Sequence, residues 1–278
     1  PALAIHSKDN WQITGINTSN DPGEATVKRT FKNQQYNFEL IQHWKYSDYY
    51  TIDYTIEICN ISNDKIFLPQ IDISAGELPP IFHLTRDTIR SEYQSIDVCL
   101  SENLAIKSKA VAKKPFREHQ ENPVAWIAIT NKYFSLILIP DEPFLDGNMM
   151  ASEQFDGKNS KGLDEKYFIL ETSGIISPFS VEPGSKYKKT FKYYSGPKEY
   201  RIIKKLAPKT SEIMHFGFRW IEGISQLLLD CLIWLRKYCG TYGMSIIVLT
   251  IIVKIIFWPI TEKANSSMKK MQKIQPLV

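Results

Sequence analysis

The sequence has no CxxC pair, so a zinc knuckle or a redox dithiol is not expected. Its four cysteines, Cys59, Cys99, Cys231 and Cys239, are scattered, and nothing in their spacing demands a disulfide. No HExxH, GxSxG, GxGxxG or phosphate-loop pattern occurs, which argues against a zinc protease, a serine hydrolase and a nucleotide site. No cofactor and no metal are expected. The five histidines, His6, His43, His83, His119 and His215, form no cluster, and a lone histidine is more often structural. Charge of one sign is also scarce. The net charge of +4 over 278 residues lacks the dense basic patch of a nucleic-acid binder. Internal repeats and low-complexity runs are missing, and no long apolar run occurs before residue 244.

Aromatic residues are plentiful: fourteen Tyr, fourteen Phe and six Trp supply core material and favour strands. Residues 1–200 read as β-structure. Ile52, Tyr54, Ile56 and Ile58 alternate with Asp53, Thr55 and Glu57, the period of a half-buried strand. Residues 60–65 form a polar turn, and an apolar run resumes over 66–73. Residues 126–139 hold two apolar runs about Asn131-Lys132, a hairpin signal. Pro183-Gly184 marks another turn. Tyr187, Phe191 and Tyr193 then share a strand face, and Gly196-Pro197 closes the region. This pattern predicts a mainly β, sandwich-like domain. The polar stretches 107–122 and 151–166 read as loops, and 198–206 as a short helix ending before Pro208.

Residues 201–240 read as a linker followed by an amphipathic helix. Trp220, Ile221, Ile224, Leu227, Leu228, Leu232 and Leu235 recur at helical spacing, opposite Glu222, Gln226, Asp230 and Lys237. Such a helix either lies in a membrane interface or packs on the β-domain. The next segment favours the membrane. Gly240 to Gly243 breaks the helix, and 244–260 reads MSIIVLTIIVKIIFWPI. At about 1.5 Å per residue, this run and its flanks nearly cross a hydrocarbon core of about 30 Å. A core helix of a soluble domain would need covering on every side, and no comparable helix is available to do it. Residues 241–261 are therefore expected to span a membrane. Trp220, Trp234, Tyr242 and Trp258 supply interfacial aromatics. Beyond Pro259, Lys263, Lys269, Lys270 and Lys273 face only Glu262, so residues 262–278 are expected to start a cytosolic arm, with the β-domain on the other side. Both chain ends read as cuts in a longer protein.

Lys254 lies within the apolar run. A cation at membrane depth costs about 2.5–3.5 kcal/mol and calls for a partner, a wet cavity or a route to the interface. Thr250, four residues earlier, shares its helix face, and the two make a polar stripe suited to a bundle interior or groove.

From Gly240 to Pro276 the chain resembles the second transmembrane helix and first cytosolic helix of the YidC/Oxa/Alb insertase family. The matching residues are the apolar run with its basic position at Lys254, Trp258-Pro259-Ile260-Thr261, Ser267-Met268-Lys269-Lys270-Met271 and Gln275-Pro276. Phe216-Gly217-Phe218 and the Trp-bearing helix resemble the family's interfacial helix. Trp126-Ile127-Ala128, Tyr133-Phe134, Ile139-Pro140, Val181-Glu182-Pro183-Gly184 and Ser195-Gly196-Pro197 resemble the large periplasmic domain of Gram-negative members. The resemblance implies a β-supersandwich similar to sugar mutarotases, on a multi-pass protein of the bacterial inner membrane. It implies no enzyme, but an insertase and chaperone whose hydrophilic groove passes nascent membrane proteins into the lipid bilayer. A Sec-type translocon and the ribosome are further partners it allows. Lys254 falls at the groove's basic position, where the family typically has Arg, and Thr250 at a polar position one turn away. Lys keeps the charge but loses the planar fork of Arg. A mutarotase-like enzyme would instead need His83 or His119 to meet a carboxylate in a cleft. The competing class is a membrane-anchored carbohydrate- or peptide-binding module, which needs neither Lys254 nor the Lys-rich arm.

Overall fold

The computed structural model describes residues 5–6, 12–32, 37–78, 94–110, 114–158, 164–215 and 219–274. In chain order the strands are β1 (Ile5–His6), β2 (Gln12–Asp21), β3 (Glu24–Lys32), β4 (Asn37–Tyr46), β5 (Thr51–Asn60), β6 (Ile66–Leu68), β7 (Ile71–Leu78) and β8 (Ser95–Leu100). Then come β9 (Ile106–Ala110), β10 (Phe116–Gln120), β11 (Val124–Thr130), β12 (Phe134–Pro140), β13 (Asp146–Lys158), β14 (Asp164–Ile176), β15 (Phe179–Val181) and β16 (Lys186–Pro197). Helix α1 (Tyr200–Ile203), a 3₁₀ turn (Thr210–Met214), α2 (Arg219–Cys239) and α3 (Tyr242–Ile274) follow. The chain divides into two compact units, Pro1–Met214 and His215–Val278.

The first unit is a sandwich. One sheet runs β1-β7-β14-β13-β10, and a nine-stranded sheet runs β2-β3-β4-β5-β16-β12-β11-β8-β9. A two-stranded sheet pairs β15 with β6. Every recorded strand pairing is antiparallel, as hairpin-linked strands with one face on a core require. On β5, Tyr54, Ile56 and Ile58 are buried and Thr55, Glu57 and Cys59 are less so, as the period of two predicts. These side chains meet Ile73, Met149 and Leu170 from the opposite sheet in one apolar core. Phe191 joins the core by stacking on Tyr54 and Phe144, with ring centroids 5.7 and 5.9 Å away. The Tyr193 hydroxyl donates to the Ala75 carbonyl at 3.0 Å and ties β16 to β7 across the layers.

A second, smaller core lies on the outer face of the nine-stranded sheet. There Trp126, Ala128, Ile137 and Tyr194 pack with Ile203 and Ile213 from the α1 and 3₁₀ segment. The Trp126 indole donates to the Pro208 carbonyl at 3.0 Å. Thr210 donates to the Ile203 and Ala207 carbonyls, which holds this segment in a tight turn. Because β11 is covered on both faces, its residues are apolar in a run rather than in alternation. The stretch expected as a linker thus begins inside the first unit: residues 201–214 pack against the sheet.

Two expectations are corrected. Residues 107–122 hold β10 and most of β9, and residues 151–158 and 164–166 belong to the long β13–β14 hairpin, whose pairs run from Asp146↔Ile175 to Lys158↔Asp164. Strands of this kind read as loops because their apolar alternation is weak: β9 is largely exposed and reads IKSKA. The four cysteines are free thiols. Burial pushes the Cys99 thiol up to about 11, which leaves it protonated and unreactive.

Candidate functional site

Helix α2 ends at Gly240, whose φ of 72° is the left-handed conformation that closes a helix and that a side chain would oppose. The Gly240 amide donates to the Arg236 carbonyl at 3.0 Å. Thr241 then starts α3: its hydroxyl faces the Met244 amide at 3.4 Å, and its carbonyl accepts from the Ser245 hydroxyl at 2.8 Å. Arg236 binds the two helices together. Its guanidinium donates to the Tyr242 hydroxyl at 2.7 Å and lies 4.1 Å from the ring centroid. Only 6% of the 18-residue stretch Tyr242–Pro259 is buried, although it is apolar enough to cross a membrane. Ile255, Ile256 and Trp258 are each more than 60% exposed, a surface that water does not tolerate over such a length.

The exception to this apolar surface is one stripe. Lys254, Thr261 and Asn265 recur at helical spacing on one side of α3, with Phe257, Trp258 and the Glu262 carboxylate beside them. Thr250, one turn earlier, extends it. The Thr250 hydroxyl donates to the Ile246 carbonyl at 2.7 Å, and the Thr261 hydroxyl to Phe257 at 3.0 Å. Each hydroxyl therefore spends its proton on its own helix and turns lone pairs outward, as acceptors. The Lys254 ammonium offers donors only. The stripe thus presents one cation flanked by acceptors. Thr261 and Asn265 were legible in the sequence, seven and eleven residues after Lys254, if the helix is continued through Pro259. α3 does continue there, to Ile274, so no break separates the span expected at 241–261 from the arm expected at 262–278. Their common helix is a correction to two separate elements.

The other expected residues distribute as follows. Trp234 is 56% exposed and packs edgewise on Tyr238, with centroids 4.7 Å apart. Tyr242 and Trp258 are exposed near the two ends of the apolar stretch. Trp220 lies in the first turn of α2, and Lys269, Lys270 and Lys273 in the last turns of α3, with side chains outside the described residues. Lys263 is exposed. Phe216-Gly217-Phe218 and Gln275-Pro276 lie outside the described residues, as does His83. His119 does meet a carboxylate: Nε2 is 3.3 Å from Asp146 and Nδ1 is 2.8 Å from Asn148. Both ring nitrogens are engaged between adjacent strands, so the pair is a cross-strand link.

Residues 3–230 match the family described as "YidC periplasmic domain", and residues 234–278 match "60Kd inner membrane protein". The chain belongs to the YidC family. Its β-unit is the YidC periplasmic domain, and the helix that follows belongs to the inner-membrane part. The YidC relative from Syntrophobacter fumaroxidans, named "Membrane protein insertase YidC", is 26% identical over 98% of this chain and 48% of its own length. That of Syntrophus aciditrophicus, with the same name, is 33% identical over 99% of this chain and 45% of its own. The chain spans half or less of the length of these YidC relatives. They are named as insertases and not as enzymes. Among solved structures, a putative aldose 1-epimerase from Escherichia coli K12 aligns at a TM-score of 0.43, with 12% identity over 67% of this chain and 68% of that one.

Proposed function

We propose that this chain is the periplasmic domain and groove-lining helix of an insertase that passes nascent membrane proteins into the bacterial inner membrane. The observation that carries the reading is the stripe from Thr250 through Lys254 to Thr261 and Asn265, one polar line on an exposed apolar helix. Placed against further helices, the stripe lines a hydrophilic groove. The Lys254 ammonium then draws in a polar or acidic tail, because a single charge acts more strongly where water is scarce. The threonine oxygens accept from backbone amides of the incoming chain before they find helical partners. The exposed isoleucines let its apolar segment move sideways into lipid. No bond is made or broken, and no nucleotide is needed. In this reading α2 lies in the periplasmic interface, with Trp220, Trp234 and Tyr242 at headgroup depth. Lys263, Lys269, Lys270 and Lys273 lie in the cytosol, within reach of a ribosome or a Sec-type translocon.

The test is photocrosslinking in the full-length protein. A crosslinking amino acid at Thr250 or Thr261 should capture a stalled nascent membrane protein, and one at Ile256 should capture it far less. Equal capture from the three positions would contradict a groove on this face.

A further inference from the structure

One end of the nine-stranded sheet differs from the rest of the β-unit. Thr51 on β5 pairs with Tyr194 on β16, and Phe134 on β12 pairs with Pro197. The hairpin tip at 47–50, the turn at 131–133 and the exit of β16 therefore lie together at this end. Five exposed aromatics gather there: Tyr46, Tyr49, Tyr50, Tyr133 and Phe134, each between 48% and 63% exposed. They lie outside the core, and exposed aromatics in such number mark a contact surface.

Two of them are held there under strain. Tyr49 and Tyr50 have φ of 44° and 64°, a conformation that side chains other than glycine resist. The Tyr50 carbonyl accepts from the Ser195 amide at 3.0 Å, and the Ser47 amide donates to the Thr51 carbonyl at 2.9 Å. A Cβ at Gly196 would fall 2.6 Å from that of Tyr50, so this close approach needs glycine. Strain kept in place by several contacts points to a use for the geometry it maintains.

Cations accompany the aromatics. Residues 198–209 carry Lys198, Arg201, Lys204, Lys205 and Lys209 against one carboxylate, Glu199. Lys209 pairs with Glu212 at 3.3 Å, and Lys204 lies over the Tyr200 ring. Arg201 and Lys205 instead face a cleft of about 630 Å³ with Lys192, Tyr49 and Tyr50, in which Asp48 and Glu199 are the acids. Lys132 adds an exposed cation beside the Tyr133 ring.

Aromatic rings interleaved with Lys and Arg are the chemistry of a bilayer interface. The cleft sets Lys192, Arg201 and Lys205 against Asp48 and Glu199, so an anionic occupant fits it, and the same chain carries a helix apolar enough to cross a membrane. We propose that this sheet end is a docking surface for a bilayer carrying anionic phospholipid headgroups, with phosphates in the Arg201–Lys205 cleft and the tyrosines at headgroup depth. The proposal rests on α3 spanning that bilayer.

The full chain is reconstituted into vesicles of phosphatidylcholine alone or mixed with phosphatidylglycerol, in a background with the four cysteines replaced. A fluorophore is placed at Ser47→Cys on the sheet end, at Asn63→Cys on the opposite end or at Ile247→Cys in α3. Lipids carrying a nitroxide on the headgroup should quench position 47 strongly in the mixed vesicles, weakly in phosphatidylcholine and weakly at high salt. Position 63 should stay unquenched. Replacing Lys132, Arg201 and Lys205 by Gln should lower the ratio of docked to undocked protein roughly five-fold per cation. Replacing Tyr49 and Tyr133 by Ser provides a second variant that leaves the charge intact and should also reduce quenching. Equal quenching of 47 and 63, or of 47 in the two lipid compositions, would overturn the proposal. Nitroxides on the acyl chain read position 247: if 247 is unquenched, the membrane reading fails and takes the proposal with it. If 247 is quenched and 47 is not, the docking surface alone is wrong.

Discussion

Lys254 stands among isoleucines and offers a charge that an ordinary anchor helix would do without. It was legible in the sequence because one cation in a 17-residue apolar run has an obvious cost. Residues whose role depends on close approach were not legible. Gly174 is one: a Cβ there would meet the Phe144 ring at 2.4 Å, and Phe144 is fully packed against Phe191. Gly174→Ala should therefore destabilise the β-unit by about 1–3 kcal/mol, read as a lower thermal midpoint. An unchanged midpoint would show that the ring moves aside freely. Asp146 is another. Burial raises its carboxyl above the usual range, with His119 acting in the opposite direction, and its Oδ1 has no hydrogen-bond partner among the described residues. A folded-state value above the unfolded one means that the stability this group lends is complete below the unfolded carboxyl range. It is lost as pH rises through the raised value. Asp146→Asn should then flatten the fall in thermal midpoint as pH rises above the ordinary carboxyl value of about 4. Identical pH profiles for parent and variant would contradict the assigned cause.

Among the elements, those with a clean period were read correctly and those without one were missed. The β5 alternation and the β11–β12 hairpin were visible because burial on a core imposes apolar residues at every second position or throughout. The β13–β14 hairpin was not, because its outer half reads EQFDGK and DEKY, which pair through backbone groups that sequence patterns do not record. Helix α1 was foreseen, but the second core it makes with Trp126 was not, since nothing local in 200–214 indicates what lies beneath. The span and the arm, read as two segments because the sequence turns Lys-rich beyond Pro259, lie on one helix with Pro259 inside it. That proline removes one backbone donor, leaving without its helical partner the carbonyl of Ile255, the residue that follows Lys254. Pro259→Ala should restore the bond and straighten α3. Spin labels at Ile247 and Asn265 should then report a longer and narrower distance distribution than in the parent. The same distribution in both would mean that Pro259 does not bend the helix.

For the whole molecule, the order of parts was legible from the sequence: a β-unit, an amphipathic helix, an apolar span and a basic arm. The boundary at Met214 was not, because it depends on packing and not on composition. Membership of the YidC family places the β-unit in the periplasm, and the Lys-rich arm should lie across the membrane from it. In intact cells an impermeant thiol reagent that passes the outer membrane should label a cysteine at Ser62 and not one at Asn265. Labelling of both would refute that topology.

Complementation reads whether the charge at Lys254 serves insertion. Full-length protein carrying Lys254→Arg, Lys254→Ala or Lys254→Glu is expressed in cells depleted of their own insertase, with its level in membranes verified. Growth and insertion are expected with Lys254→Arg, and losses with Lys254→Ala and Lys254→Glu, greatest for substrates whose translocated tails are acidic. A stably expressed Lys254→Ala protein that inserts every substrate as well as the parent would contradict this, and Lys254 would then serve only to set the depth of α3 in the bilayer.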